Sequence, residues 1–134
     1  MGKIAPNAMI DAALAYVAAC DLMTVCQDTP ASYADATGHN DAGGDVLASI
    51  DMTPGDGNGD FAIADDATGN FGRKLTMTEQ LAVAILHSGT ATHIALTLAA
   101  GTTLRYMTTC TSQALTAGGT VDIPSWKIQI TDPQ

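Results

Sequence analysis

A short run of Asp, Asn and Gly near the middle of the sequence has residue types and a spacing that could bind a calcium ion. Asp56, Asn58 and Asp60 alternate in the way that the first ligands of an EF-hand loop do. The pattern then departs from that loop, because Phe61 stands where Gly is required and Ala67 where a bidentate Glu belongs. Asp and Asn beside Gly are also common in hairpin turns, since they tolerate positive φ. We therefore interpret this run as a turn, with an irregular cation site as the alternative.

The three histidines are not spaced as the metal ligands of an HxH or HExxH motif. His87 and His93 flank one predicted turn and could approach each other there, which would be the start of a zinc site. His39 lies far from both in the sequence. Polar turn residues are the ordinary role of histidines in such positions, and we expect that role here.

The cysteines Cys20, Cys26 and Cys110 are an odd set without a CxxC pair. A disulfide framework in a small secreted domain uses an even number of cysteines at regular spacings. Free cysteines, in contrast, are among the most buried residues of proteins. The sequence therefore predicts buried structural thiols and a reducing compartment.

Motifs that catalysis would need are missing from the sequence. It has no GxSxG nucleophile elbow, no phosphate-binding P-loop and no GxGxxG before a predicted helix. The carboxylates concentrate in Asp- and Gly-rich loops, where turn chemistry explains them and no glycosidase-type acid pair stands out. We therefore expect that the protein is not an enzyme and has no catalytic, cofactor-binding or metal-binding residues.

The charge of the chain is strongly negative and unevenly distributed. Five Lys and Arg residues stand against fourteen Asp and Glu, which gives a net charge of −9. The range 4–72 contains many acids and no basic residue. Such a surface disfavours nucleic acids, whose binding depends on Lys and Arg, and anionic membranes. We expect neither a nucleic acid nor a membrane among the partners.

The stretch 89–110 predicts a β-hairpin around which the other elements are arranged. Ile94, Leu96 and Leu98 alternate with smaller residues at period two, which is the strand period. After a break rich in small residues, Leu104 and Tyr106 continue the same alternation on a second arm. One face of the hairpin should be aliphatic and packed, and the other small and polar.

The remaining elements complete a chain that is mainly β. Asn7 can cap a helix over residues 8–20, whose apolar residues cover a broad face that includes Met9 and Ala13. Short strands with turn signals between them follow, about nine or ten in all, as in β-sandwiches. The predicted fold is an antiparallel β-sandwich, jelly-roll-like, with one N-terminal α-helix.

The predicted organisation is a single domain over residues 1–134. An N-terminal arm and helix occupy 1–21, and the β-sandwich occupies 22–134 with exposed acidic loops at 27–45 and 53–72. In the strand 81–86, either Val83 and Ile85 or Leu81 and Ala84 should face inward. We expect the following residues to be mostly buried: Leu96, Leu98, Leu104, Tyr106, Val121, Ile123, Trp126, Ile128 and Ile130.

The N-terminal residues do not favour a secretion signal. The run 17–20 is spelled like a lipoprotein cleavage box, but Asp11 lies inside the apolar region and Pro6 interrupts its start. No stretch reaches the roughly 18 apolar residues that a membrane span needs. We expect a soluble, unprocessed protein.

A group of strand and turn residues in the C-terminal part of the chain has a recognisable pattern. They lie at 89–96, 104–109 and 113–121, with Trp126, Ile128 and Ile130. In these residues the chain resembles small virion structural proteins of tailed bacteriophages and prophages. The resemblance is specific over about the last third of the chain, and an outline likeness extends to the opening helix and to residues 72–75. These are strand and turn residues, so the resemblance implies a kind of protein without implying a site.

The resemblance implies a capsid decoration or cement protein that binds the outside of the head shell. Its partners would be the major capsid protein and copies of itself, and it would lie on the capsid surface after synthesis in the host cytoplasm. Two alternatives remain: a β-sandwich binding module, such as an adhesin or carbohydrate binder, and a tail or connector protein of the same virion. For the decoration protein we expect a homo-oligomer or lattice, with the N-terminal arm and the Ala-rich helix making many of the contacts. A monomer that binds glycans and does not assemble would favour the binding module.

Overall fold

The computed structural model describes residues 7–39, 43–66 and 72–131. These residues are mainly β, with antiparallel sheets and an N-terminal helix, as the sequence predicts. The predicted arm before Asn7 and most of the turn at 65–72 lie outside the described residues. The elements are α1 (Asn7–Ala18), β1 (Leu22–Cys26), α2 (Tyr33–Thr37), β2 (Val46–Asp51), β3 (Phe61–Asp65), β4 (Gly72–Met77), β5 (Gln80–Ala84), β6 (Gly89–Leu98), β7 (Thr103–Leu115), β8 (Thr120–Ile123) and β9 (Trp126–Thr131).

The nine described strands form three antiparallel sheets. Their orders are β2-β1-β6-β7, β3-β4-β9 and β5-β8. One hydrophobic cluster draws buried residues from all three sheets and from α1, which makes the arrangement sandwich-like. The jelly-roll connectivity stays a prediction, because a jelly roll has two sheets of four strands and the strands here are divided differently.

Helix α1 buries a narrower face than the sequence suggests. Ile10, Leu14 and Ala18 are buried at a four-residue spacing, which places them on one stripe of the helix. Met9 and Ala13, which were expected on the packed face, are exposed. The helix packs mainly on β3 and β4, so only one stripe reaches the core.

Helix α1 also ends before the predicted limit at residue 20. The amide of Cys20 donates to the carbonyl of Val17 and the amide of Gly55 donates to the carbonyl of Ala18, so the last turn is closed by other partners. On its charged side, Asp11 accepts two hydrogen bonds from Arg73 of β4, at 2.6 and 3.1 Å. These two bonds, and a third that Arg73 donates to the carboxylate of Asp65, raise the pKa of the Arg73 guanidinium.

The central hairpin is present, but both of its faces are buried in the middle of β6. Leu96 pairs with Tyr106 on the face toward the main cluster and is completely buried. Ala95 and Thr97 on the opposite face are also completely buried, where a small polar surface was expected. The cause is α2, which brings Ala36 into a second cluster with Ala95.

Helix α2 corrects the prediction of one long exposed loop over residues 27–45. Ser32 caps it, because its hydroxyl accepts a hydrogen bond from the amide of Asp35 at 3.3 Å. Pro30 and Ala36 are buried, so the segment covers the sheet. The five-residue helix was missed because its composition of small and polar residues shows no helical periodicity.

The predicted core is only partly correct. Leu96 and Ile123 are buried, whereas Leu98 is only half-buried. The other six predicted residues are half-buried and pack against the edges of the clusters: Leu104, Tyr106, Val121, Trp126, Ile128 and Ile130. They belong to β7, β8 and β9, which border an open side of the sandwich.

Candidate functional site

The Asp- and Gly-rich run after β2 forms a turn whose polar side chains bind the backbone. Asp60 accepts a hydrogen bond from the amide of Thr53 at 2.6 Å, and Asp56 accepts one from the amide of Ile63 at 2.8 Å. Asn58 donates to the carbonyl of Pro54 at 2.8 Å. The glycines between them, residues 55, 57 and 59, have positive φ, as the turn requires. The turn interpretation accounts for all three polar side chains.

Calcium is therefore expected to leave the melting temperature of the protein unchanged. A specifically bound ion would stabilise the folded state by mass action, but the carboxylates of Asp56 and Asp60 already accept backbone hydrogen bonds. The measurement is thermal unfolding in millimolar calcium chloride, with magnesium chloride and EDTA as controls. A calcium-specific rise that Asp56→Asn abolishes would establish the cation site instead.

The histidines lie in two different environments. His93 contacts the hydroxyl of Thr92 at 2.8 Å and that of Thr29 at 3.1 Å, which ties β6 to the loop after β1. The ring of His87 contacts that of His39 in a tilted arrangement, with ring centroids 4.5 Å apart and an interplanar angle of 44°. The sequence left open an approach of His87 to His93. In the fold, the ring beside His87 is that of His39. Among the described residues, no group of three or more His, Cys, Asp or Glu side chains could hold a metal ion.

An apolar groove of about 470 Å³ opens on the side of the sandwich bordered by β7, β8 and β9. Its floor is formed by core residues such as Ile94 and Ile123, and its walls by side chains of β7 and β8. Tyr106 and Trp126 meet edge to face at 6.1 Å between ring centroids, a contact that joins β7 to β9. The groove therefore gives access to the hydrophobic core.

Polar atoms in the groove are few. The polar side chains of β7 that line it are Thr108, Thr109, Cys110, Thr111 and Gln113, and Asp122 contributes the one carboxylate. The indole Nε1 of Trp126 is buried and makes no hydrogen bond within the described part of the protein. Such buried donors are uncommon in folded proteins and are usually satisfied by a partner.

Cysteines differ in their access to solvent. Cys20 and Cys26 are completely buried, which confirms the prediction of buried thiols, and burial raises the pKa of each to about 11. Cys110 lines the groove and is half-buried, and its pKa is raised by the same cause. It is therefore the accessible thiol of the three.

The outward face of α1 is the second candidate surface. Met9 is 60% exposed and Tyr16 is 50% exposed, and the residues between them on this face are alanines. The guanidinium of Arg105 lies 3.9 Å from the centre of the Tyr16 ring and donates to the Tyr16 carbonyl at 2.6 Å. Arg105 thus holds the end of the helix against β7 and fixes this apolar face in place.

Comparison with protein-family models, curated proteins and solved structures gives no match. The resemblance to virion structural proteins therefore stays a prediction. Within the described ranges, no helix is long and apolar enough to cross a membrane.

The groove was missed by the sequence analysis, although a signal for it is present. Between Glu79 and Asp122 the only Asp, Glu, Lys or Arg is Arg105. This part of the chain contains β5 to β8 and supplies most of the groove. This uncharged run, in a chain of net charge −9, is the sequence signal for the apolar lining.

Proposed function

We propose that this protein is a virion structural protein that decorates the outside of a capsid in many copies. The observation that carries the proposal is the outward face of α1. Met9 and Tyr16 expose large side chains on a helix face whose own residues between them are alanines, and Arg105 of β7 packs on the Tyr16 ring. Apolar patches held on a rigid element usually mark a protein partner.

The acidic loops supply the second part of the proposed contact. Burial raises the pKa of Asp45, and the negative charges of Asp35 and Asp28 raise it further, so carboxylates gather in the segment 27–45. Like charges gathered in this way favour a basic partner surface. The major capsid protein would provide that surface, and salt would weaken the attachment.

The test is decoration of particles that lack this chain. Met9→Glu is expected to lower occupancy at least tenfold, because it places a charge in the apolar contact. Ala62→Glu makes the same change of charge at an exposed position of β3 and is the matched control. Occupancy can be measured by cosedimentation and by electron microscopy of the particles.

Equal occupancy of both variants would remove the face of α1 from the interface. Failure of the wild-type protein to bind any particle of its source would overturn the proposed function. Labelling of the particle with an antibody separates the head from the tail, and labelling confined to the tail would favour the tail or connector alternative.

A carbohydrate-binding module is the second candidate, favoured by one observation. The groove is lined by Trp126 and also by the hydroxyl and amide groups of Thr109, Thr111 and Gln113. Aromatic rings with a few polar groups are the usual lining of small-ligand sites. Binding to a glycan array that Trp126→Ala abolishes, with no particle binding, would support this candidate over decoration.

A further inference from the structure

Strand β7 is the edge of the largest sheet and its outer side is open. It pairs with β6 along one side, and no other described strand pairs with it. It is also the longest strand, with 13 residues. Unpaired backbone groups on a long edge strand are a template for pairing with another chain.

The usual protection of an exposed edge is confined to parts of β7 and leaves one stretch unprotected. Proteins commonly protect such edges with charged residues, proline or β-bulges. Beyond Arg105, β7 contains neither a charged residue nor a proline. Register shifts interrupt the pairing with β6 on either side of residues 106–109, which leaves Tyr106 to Thr109 as a regular edge.

Charge decides which partner fits this edge. A chain with a net charge of −9 repels a second copy of itself over most of its surface. From Tyr106 to Val121 the chain has no acidic or basic residue, so two copies can approach along β7 without that repulsion. A basic partner would instead be drawn to the acidic loops, which lie elsewhere in the chain.

The groove lies beside the same edge. Thr108 and Cys110 of β7 line it, so a strand added along β7 would lie over its opening. Alternate side chains of a strand point to one face, so every second residue of the added strand would face the groove. One added strand would therefore pair with the open backbone groups of β7 and also cover the apolar lining of the groove.

We propose that two copies of this protein pair through their β7 strands, antiparallel about a two-fold axis, and thereby close both grooves. Antiparallel pairing of one strand with its own copy is self-complementary, as a two-fold interface requires. The dimer joins the two four-stranded sheets into one continuous sheet. The inference rests on the proposed function, because it names the contact between copies in the decorating layer.

Sedimentation equilibrium over a wide range of concentration tests the pairing. The wild-type protein is expected to reach twice the mass of one 13.7 kDa chain. Thr108→Pro and Thr109→Pro form a matched pair, because successive amides of a strand point to opposite sides. The proline at the outward amide should leave the fold intact and abolish the dimer, whereas the proline at the inward amide should damage the pairing with β6.

A wild-type protein that remains monomeric at every concentration would overturn the proposal, as would a folded variant that still dimerises with proline at the outward amide. If neither variant folds, alkylation of the wild-type protein decides. Cys20 and Cys26 are buried, so native labelling reports on Cys110. Its rate should fall several-fold as dimers form, and a constant rate would contradict the pairing.

The outcome also separates this inference from the proposed function. Monomers that decorate particles would overturn the β7 pairing and leave the function standing. Dimers that bind no particle of the source would support the β7 pairing and overturn the proposed function.

Discussion

Replacement of Leu96 by Ala is expected to lower the free energy of unfolding by about 2–5 kcal/mol. Leu96 is completely buried in the main hydrophobic cluster. It lies on β6 between Met23 of β1 and Tyr106 of β7, so backbone on both sides prevents the site from collapsing. The lost side chain leaves a cavity, and the cost of that cavity adds to the lost burial of its methyl groups.

The control for this change is Leu81→Ala, the same substitution at a residue that is 64% exposed on β5. It should change the free energy of unfolding by less than about 0.5 kcal/mol. Urea unfolding followed by circular dichroism measures both variants, and the slope of the transition should stay constant. Similar losses in the two variants would mean that the central hairpin does not hold the core as described.

Alkaline conditions are expected to remove the stability that Cys20 and Cys26 contribute as buried neutral thiols. Burial raises the pKa of each from 9.0 to about 11 in the folded protein. Below pH 9 both states of the protein carry the protonated thiols, so this stability is fully present. Between pH 9 and about 11 the unfolded state loses protons that the folded state retains, and stability falls as pH rises.

The expected loss is about 2 kcal/mol for each thiol between pH 8 and pH 11. The measurement is the difference in unfolding free energy between pH 8 and pH 11, under reducing conditions, in the wild-type protein and in Cys20→Ala and Cys26→Ala. Each variant should show a smaller difference than the wild type. Cys110→Ala is the control, because its half-buried thiol should change the difference less. Equal differences in all four proteins would show that the buried thiols do not govern the alkaline limit.

The local elements could be predicted because their signals are local. Period-two alternation placed the two arms of the central hairpin. The glycines at 55, 57 and 59 placed the turn after β2, because only such residues readily adopt positive φ. The apolar residues of the N-terminal segment predicted helix α1. They did not predict which face of the helix is buried.

The sequence left two possible inward faces for the strand 81–86, and a contact between residues distant in sequence decided between them. Val83 and Ile85 face inward and Leu81 faces solvent. Ala82 has φ of 53°, and its amide donates to Asp122 of β8 at 2.8 Å. This irregularity shifts the register of the strand, and the sequence of β5 alone could not reveal it because its partner lies forty residues away.

The amino-acid sequence by itself determined that this is a mainly β chain with an N-terminal helix, an acidic first half and turns at its Gly- and Asp-rich segments. The tertiary structure decided which surfaces remain open. Strand order left β7 at an edge, and the packing of three sheets left the groove beside it. Alternation along one strand shows which residues share a face, whereas pairing between distant strands decides which face is covered. The groove and the open edge of β7 therefore depend on pairing between distant strands, which the tertiary structure shows and the sequence alone does not.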